Sequence, residues 1–129
     1  MYPPASIVAR ETDKEITVGG ASVPKGYSVL INIMGIHRTP SAFPEPDTYD
    51  PDRWIKDPDL DKSKHFIPFS FGPRNCIGKD FFWIEAKTLL AAFVRSFEWE
   101  TVGDIPGPTT LTGTLHPDAP AHIRIKPVA

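Results

Sequence analysis

The chain has a single cysteine, Cys76, in 129 residues. It therefore forms no internal disulfide, and one isolated thiol fits a reducing compartment. A zinc site is also unsupported. His37, His65, His116 and His122 each lack a partner histidine three or four residues away, and Cys76 has no second cysteine to complete a ligand pair. No apolar run approaches the roughly 20 residues that a bilayer-spanning helix takes. The first residues carry no signal-peptide pattern. Charge of one sign is lacking too. Lys and Arg number 14 against 16 Asp and Glu, interspersed to a net charge of −2, so no basic stripe awaits nucleic acid.

What the chain does have is enough apolar material for one domain's core, 40% of residues, of which 11% of the chain is aromatic. It also has 15 prolines and 9 glycines, many for a globular chain but below the roughly 25–30% that marks low complexity. Prolines 40, 44, 46, 51, 58 and 68 punctuate the span from Thr39 to Pro68. Regular structure cannot persist across that spacing, so the span is expected to be an irregular but folded loop. Upstream, Ile16-Thr17-Val18 and Val23 flank Gly19-Gly20 as a hairpin. Tyr27 to Ile33 is rich in β-branched residues with apolar groups on both faces, which predicts a strand covered on both sides.

Past Gly78 the period changes. Phe82, Ala86, Leu89, Leu90, Phe93 and Phe97 recur at three- and four-residue steps and predict a helix from about Lys79 to Arg95. The tail then alternates in Phe97-Glu98-Trp99-Glu100-Thr101 and again in His122-Ile123-Arg124-Ile125-Lys126, the pattern of strands with one apolar face.

Between the loop and the helix lies Phe69-Ser70-Phe71-Gly72-Pro73-Arg74-Asn75-Cys76-Ile77-Gly78. A free thiol has a pKa of about 8.5 and is a weak ligand unless its anion is favoured. A metal favours it, and so does a helix beginning just after the cysteine. Gly72 allows a tight turn that would point Cys76 inward, and Gly78 lets backbone pass close to a flat ligand. Arg74 brings a permanent charge and a planar fork that suits carboxylates. Alone, Cys76 reads as a buried structural cysteine. Five residue types at fixed offsets change that reading.

The stretch reads Phe-x-x-Gly-x-Arg-x-Cys-x-Gly and resembles the haem-binding signature of the cytochrome P-450 family. The resemblance extends from Tyr2 to Pro127. It implies haem b, iron protoporphyrin IX, with Cys76 as axial iron ligand, Arg74 as a propionate partner and Phe69 shielding the sulfur, and with Gly72 and Gly78 shaping the loop. Thiolate ligation, established family chemistry, pushes electron density onto iron and favours O–O cleavage. Pro51-Asp52-Arg53-Trp54 resembles the family's Pro-Glu-Arg-Phe element, which would place Arg53 in an ion-pair network with a Glu and an Arg on a helix this chain does not include. A solvated loop cation is the alternative. Phe81 and Glu85 match family positions, whereas Phe82 stands where the family usually has a small residue.

The implied fold is mainly α with small β-sheets in the parent family. This chain would hold its C-terminal strands, proline-rich meander loop, cysteine-ligand loop, following long helix and terminal β-hairpins. Residues 1–129 are thus expected to be an incomplete C-terminal part of a haem-thiolate monooxygenase domain, inactive alone and prone to aggregate through uncovered apolar faces. Ala5-Ser6-Ile7-Val8 and Thr110-Leu111-Thr112-Gly113-Thr114 resemble substrate-contacting segments, and their small apolar residues suit a small apolar organic substrate. Electrons would come from an NADPH-dependent reductase. Lys62, Lys64 and Lys79 either form a basic face for an acidic donor or are merely solvated. The form Pro-Arg-Asn-Cys-Ile-Gly resembles eukaryotic membrane-bound members, which implies a parent at the endoplasmic reticulum membrane, anchored by a segment outside this chain. The proton-delivering groups of the family lie on a helix absent here, so no catalytic residue is assigned. A haem-thiolate isomerase or dehydratase that needs no reductase, and a truncated non-catalytic product, are the competing readings.

Overall fold

In a computed structural model, which describes residues 2–112 and 114–128, the chain divides into two units, residues 1–70 and 71–129. The first is built on two antiparallel strand pairs. β1 (Ile7–Glu11) lies against β4 (Ser28–Asn32), with Val8 opposite Ile31 and Arg10 opposite Val29. Between them β2 (Ile16–Val18) and β3 (Ala21–Val23) form the expected hairpin. Its turn residues Gly19 and Gly20 have φ of 57° and 85°, the left-handed pair that a two-residue turn between right-twisted strands requires. Thr12, buried, closes the base of this arm: its hydroxyl donates to the Pro24 carbonyl at 2.7 Å and accepts from the Tyr27 N–H at 3.0 Å.

One expectation fails at β4. Val29 and Ile31 are half-buried, but Leu30 is 67% exposed, so the strand is covered on one face only. Ile33, expected within the strand, opens the short helix α1 (Ile33–Ile36) instead, and it is fully buried. Asn32 causes the change of structure. Its side-chain oxygen accepts the Gly35 N–H at 2.9 Å, an N-cap that ends the strand and starts the turn.

The proline-rich span is irregular as expected, holding only the single-turn helix α2 (Arg53–Lys56) and a 3-10 turn at Leu60–Lys62. Its side chains supply the small core of the unit. Ile33, Phe43 and Leu60, together with Pro3, are the buried apolar residues among those described, with His37 buried among aromatic rings.

The second unit opens with a 3-10 turn at Gly72–Arg74 and continues into α3 (Lys79–Ser96), one residue longer than its sequence period indicates. α3 passes directly into β5 (Phe97–Val102), which pairs with β8 (His122–Pro127). The register sets Phe97, Trp99 and Thr101 opposite Pro127, Ile125 and Ile123, so the two alternating segments share one apolar face. Phe93 of α3 packs on Phe97 and Trp99 at 5.4 Å between ring centroids. β6 (Pro108–Thr112) and β7 (Thr114–Pro117) form the second tail hairpin. Gly113 lies outside the described residues. Among those described, no side chain of this unit is buried, and the α3 stripe is open: Leu89 and Leu90 are over 60% exposed. Among the described residues, no helix is long and apolar enough to cross a membrane.

Candidate haem-thiolate loop

The division between the units falls inside the cysteine stretch, after Ser70. Phe69 therefore belongs to the first unit, where it is half-buried, while Gly72, Arg74, Cys76 and Gly78 belong to the second. Local geometry explains each bend of the loop. Phe71 is extended, and Gly72 then takes φ +80°, a conformation that side-chain-bearing residues resist, so the chain can turn into Gly72–Arg74. The Asn75 N–H closes that turn on the Gly72 carbonyl at 3.0 Å. The Cys76 carbonyl accepts the Lys79 N–H at 3.4 Å, and Gly78 caps α3 without a side chain. Cys76 thus stands two residues before the cap of an 18-residue helix, with Asp80 in its first turn.

Cys76 is a free thiol and it is exposed. The inward placement expected from the Gly72 turn is corrected here. The turn forms, but among the described residues the thiol is exposed, and so, wholly, is the neighbouring Ile77. Within these residues Cys76 is not a buried structural cysteine. Gly78 gives a sharper observation. Its φ of −83° suits any residue, and a methyl built on it would meet only the Cys76 sulfur, at an ordinary 3.8 Å. The chain's own backbone does not demand glycine there. A requirement for a bare backbone at that point would have to come from a body lying beside the sulfur.

These donors fit a thiolate-held, flat, dianionic ligand: an open thiol, a bare backbone next to it, and the Arg74 cation two residues ahead. Such a loop needs a family to say which ligand. The family model described as Cytochrome P450 matches residues 1–124. The chain belongs to the cytochrome P450 family. Cytochrome P450 4F12 of Homo sapiens is 41% identical over 103 residues, covering 77% of this chain and 19% of that protein. Cytochrome P450 monooxygenase poxM of Penicillium oxalicum is 41% identical over 104 residues, 79% of this chain and 20% of its own length. Leukotriene-B4 omega-hydroxylase 3 of Mus musculus is 43% identical over 99 residues, 75% and 19% respectively. A solved structure, retinoic acid bound cyanobacterial CYP120A1, superposes with a TM-score of 0.86 at 25% identity, over 98% of this chain and 30% of that one. This P450 chain thus spans about a fifth of the length of the curated relatives it matches.

The remaining candidates sort differently. Arg53 is half-buried, and among the described residues it pairs with no carboxylate. Its guanidinium donates to the carbonyls of Pro44, Asp50, Thr48 and Glu45 at 3.0–3.3 Å, drawing the proline-rich loop around one fork. Beside it, His37, Phe43, Trp54 and Phe66 help to line an open cavity of about 190 Å³. Lys62 pairs with Asp59 at 2.6 Å, and both are exposed. Phe82 stacks edge-on with Trp83 at 5.5 Å and remains 45% exposed. Among the described residues no group of three or more His, Cys, Asp or Glu gathers as a metal cluster.

His37 is structural. Its Nε2 accepts the Ile67 N–H at 3.0 Å, which requires a neutral ring carrying its proton on Nδ1. Phe66 stacks on it at 5.6 Å and Phe43 meets it edge-on at 6.0 Å. Burial, with neighbouring positive charge including Arg38, lowers its pKa from 6.5 to about 4.

Proposed function

We propose that this chain is the C-terminal, haem-binding part of a longer monooxygenase that inserts one oxygen atom from O2 into an apolar organic substrate. The observation that carries the reading is the open Cys76 thiol beside a glycine that its own backbone does not require. In this reading Cys76 holds the iron of haem b, Arg74 pairs with a propionate, Gly78 leaves room for the porphyrin face, Gly72 turns the chain and Phe69 shields the sulfur. Thiolate-bound haem supplies oxygen activation when bound, and the polypeptide positions and tunes it.

The balance of the reaction is substrate C–H, O2, two electrons and two protons giving C–OH and water. The electrons come from an NADPH-dependent reductase. This chain nominates no group for proton delivery, and that role falls to residues of the longer protein. A relative named for omega-hydroxylation of leukotriene B4, and a structural relative holding retinoic acid, support an apolar organic substrate. Similarity to animal P450s supports a parent at the endoplasmic reticulum membrane. Exposed apolar faces on α3, β5 and β8 support further chain packing over them.

The test uses the longest reading frame that contains this chain, reconstituted with haem, a P450 reductase and NADPH under 18O2 with a panel of apolar substrates. One 18O atom in product, dependent on NADPH and reductase, is the expected result. Turnover of a peroxide without NADPH, with no label incorporated from O2, would replace this reading with an isomerase.

A further inference from the structure

The chain reaches β1 through Tyr2-Pro3-Pro4-Ala5-Ser6, and one short stretch of the same unit holds both ends of that approach. At the near end the Arg38 guanidinium lies over the Tyr2 ring, 4.7 Å from its centroid. At the far end the Ser6 carbonyl accepts the Met34 N–H at 3.2 Å, and Ser6 is only 3% exposed. Both holds come from α1 and its exit. Met34 lies inside the helix, and Arg38 follows its C-cap His37. Between them Pro3 is buried and both prolines fix φ, so a displacement of Tyr2 passes on to Ala5 instead of being absorbed.

The holding residues are themselves fixed. Ile33 opens α1 with no exposed surface, and His37 closes it among the rings of Phe43 and Phe66. The Arg38 side chain is 23% exposed, pairs with Asp47 at 3.0 Å and reaches the Met34 carbonyl at 3.5 Å. The Asp47 side chain is 70% exposed, and an ion pair that open to water contributes little. The Tyr2 ring contributes more, because its face attracts the guanidinium and covers it from water. The consequence falls on Ile7. Ser6 is turned inward while Ile7 is 44% exposed, so Ile7 is the large apolar side chain that this approach presents.

We propose that Arg38 and Tyr2 are positioning residues for residues 5–8, the segment that resembles a substrate-contacting one: their stack sets where Ile7 meets an apolar substrate, and so which carbon is oxidised. The consequence rests on the monooxygenase reading, whereas the stack and the hold on Ser6 stand without it. Neither residue takes part in the chemistry. Both act through the two prolines on the side chains that follow.

The test uses the longest reading frame with Tyr2→Leu, which removes the ring, and Tyr2→Phe, which keeps it. Amide exchange at Met34 reports the hold on Ser6, and exchange at Thr12, past the far end of β1, is the control. The ratio of hydroxylated isomers formed from dodecanoic acid, whose chain offers many similar C–H bonds, reports the placement of Ile7. Tyr2→Leu is expected to speed exchange at Met34 about fivefold, the equivalent of one net hydrogen bond, to leave Thr12 unchanged and to shift the isomer ratio. Tyr2→Phe is expected to match the unsubstituted protein in all three. Unchanged exchange at Met34 would overturn the proposal, and so would equal speeding at Thr12, which marks a general loosening. Faster exchange with an unchanged isomer ratio would overturn it too, leaving the stack merely structural. Should Tyr2→Leu fail to fold, Arg38→Met removes the charge and keeps the stem, and the same results there would overturn it equally. An unsubstituted protein that hydroxylates neither dodecanoic acid nor any other apolar substrate would instead sink the monooxygenase reading, while exchange at Met34 would still decide the stack.

Discussion

Expressed alone, these 129 residues should not behave as a folded monomer, and the surface area says why. The chain exposes 10158 Å². A compact monomer of 14.3 kDa exposes about 6,800 Å² by the usual scaling, and two separate compact bodies of half that mass expose about 8,200 Å² together. Even against the second figure about 2,000 Å² is in excess. With roughly 57% of surface apolar and about 25 cal/mol per Å², the burial forgone is on the order of 25–30 kcal/mol. A whole domain's net stability is only about 5–15 kcal/mol. The excess has an address: Trp99, Ile123 and Ile125 on one sheet face, Leu89 and Leu90 on α3, Leu30 on the outer face of β4. Sedimentation velocity and calorimetry of the isolated chain check the reasoning. Self-association, dye-binding apolar surface and no cooperative transition are expected. A monodisperse 14.3 kDa species with one sharp unfolding transition would refute it.

Four further outcomes follow, all in the longest reading frame. The His37 imidazole should titrate below 6.5 by its ring-proton NMR shift because burial disfavours the charged ring, so its contribution to stability is fully present above pH 6.5 and falls as pH drops below it; a midpoint near 6.5 would contradict the burial argument. Arg53→Lys keeps the charge but not the fork that gathers four carbonyls, and should cost about 2–4 kcal/mol by chemical denaturation, nearly as much as Arg53→Ala; a loss under about 0.5 kcal/mol would mean solvent replaces the fork. Gly72→Ala meets open space but the wrong φ and should cost about 1–2 kcal/mol, so unchanged stability would show that the turn relaxes. Gly78→Ser keeps an acceptable helix cap and should leave stability within a few tenths of a kcal/mol while weakening haem uptake; equal uptake by both proteins would remove the argument for a body beside the sulfur.

Local pattern was sufficient wherever the structure is local. The α3 period, the Gly19-Gly20 turn and the alternation of β5 and β8 each appear where their spacing puts them. The cysteine loop was legible because its bends are made by the residues that compose it, Gly72 above all. The face of β4 was not, because an apolar residue such as Leu30 reports that a face can be covered and not what covers it. Asn32 carried a usable signal that was missed: a capping residue three before glycine, at the end of a β-branched run, marks where strand gives way to helix. The carbonyl partners of Arg53 were not legible, since proline-rich turns leave carbonyl oxygens without backbone donors and a guanidinium fork gathers them, a matter of turn geometry that no spacing records. The joint between His37 and Ile67 leaves no trace in the sequence, because thirty residues separate the partners and no periodicity links them.

The central claim is that the Cys76 sulfur binds haem iron. Its most direct test is the reduced, carbon-monoxide-bound absorption spectrum of the haem-loaded longest reading frame beside its Cys76→Ala variant. The account predicts a red-shifted thiolate-type band that the substitution abolishes. A protein that takes up haem with no such band, or with a band indifferent to Cys76→Ala, would contradict it.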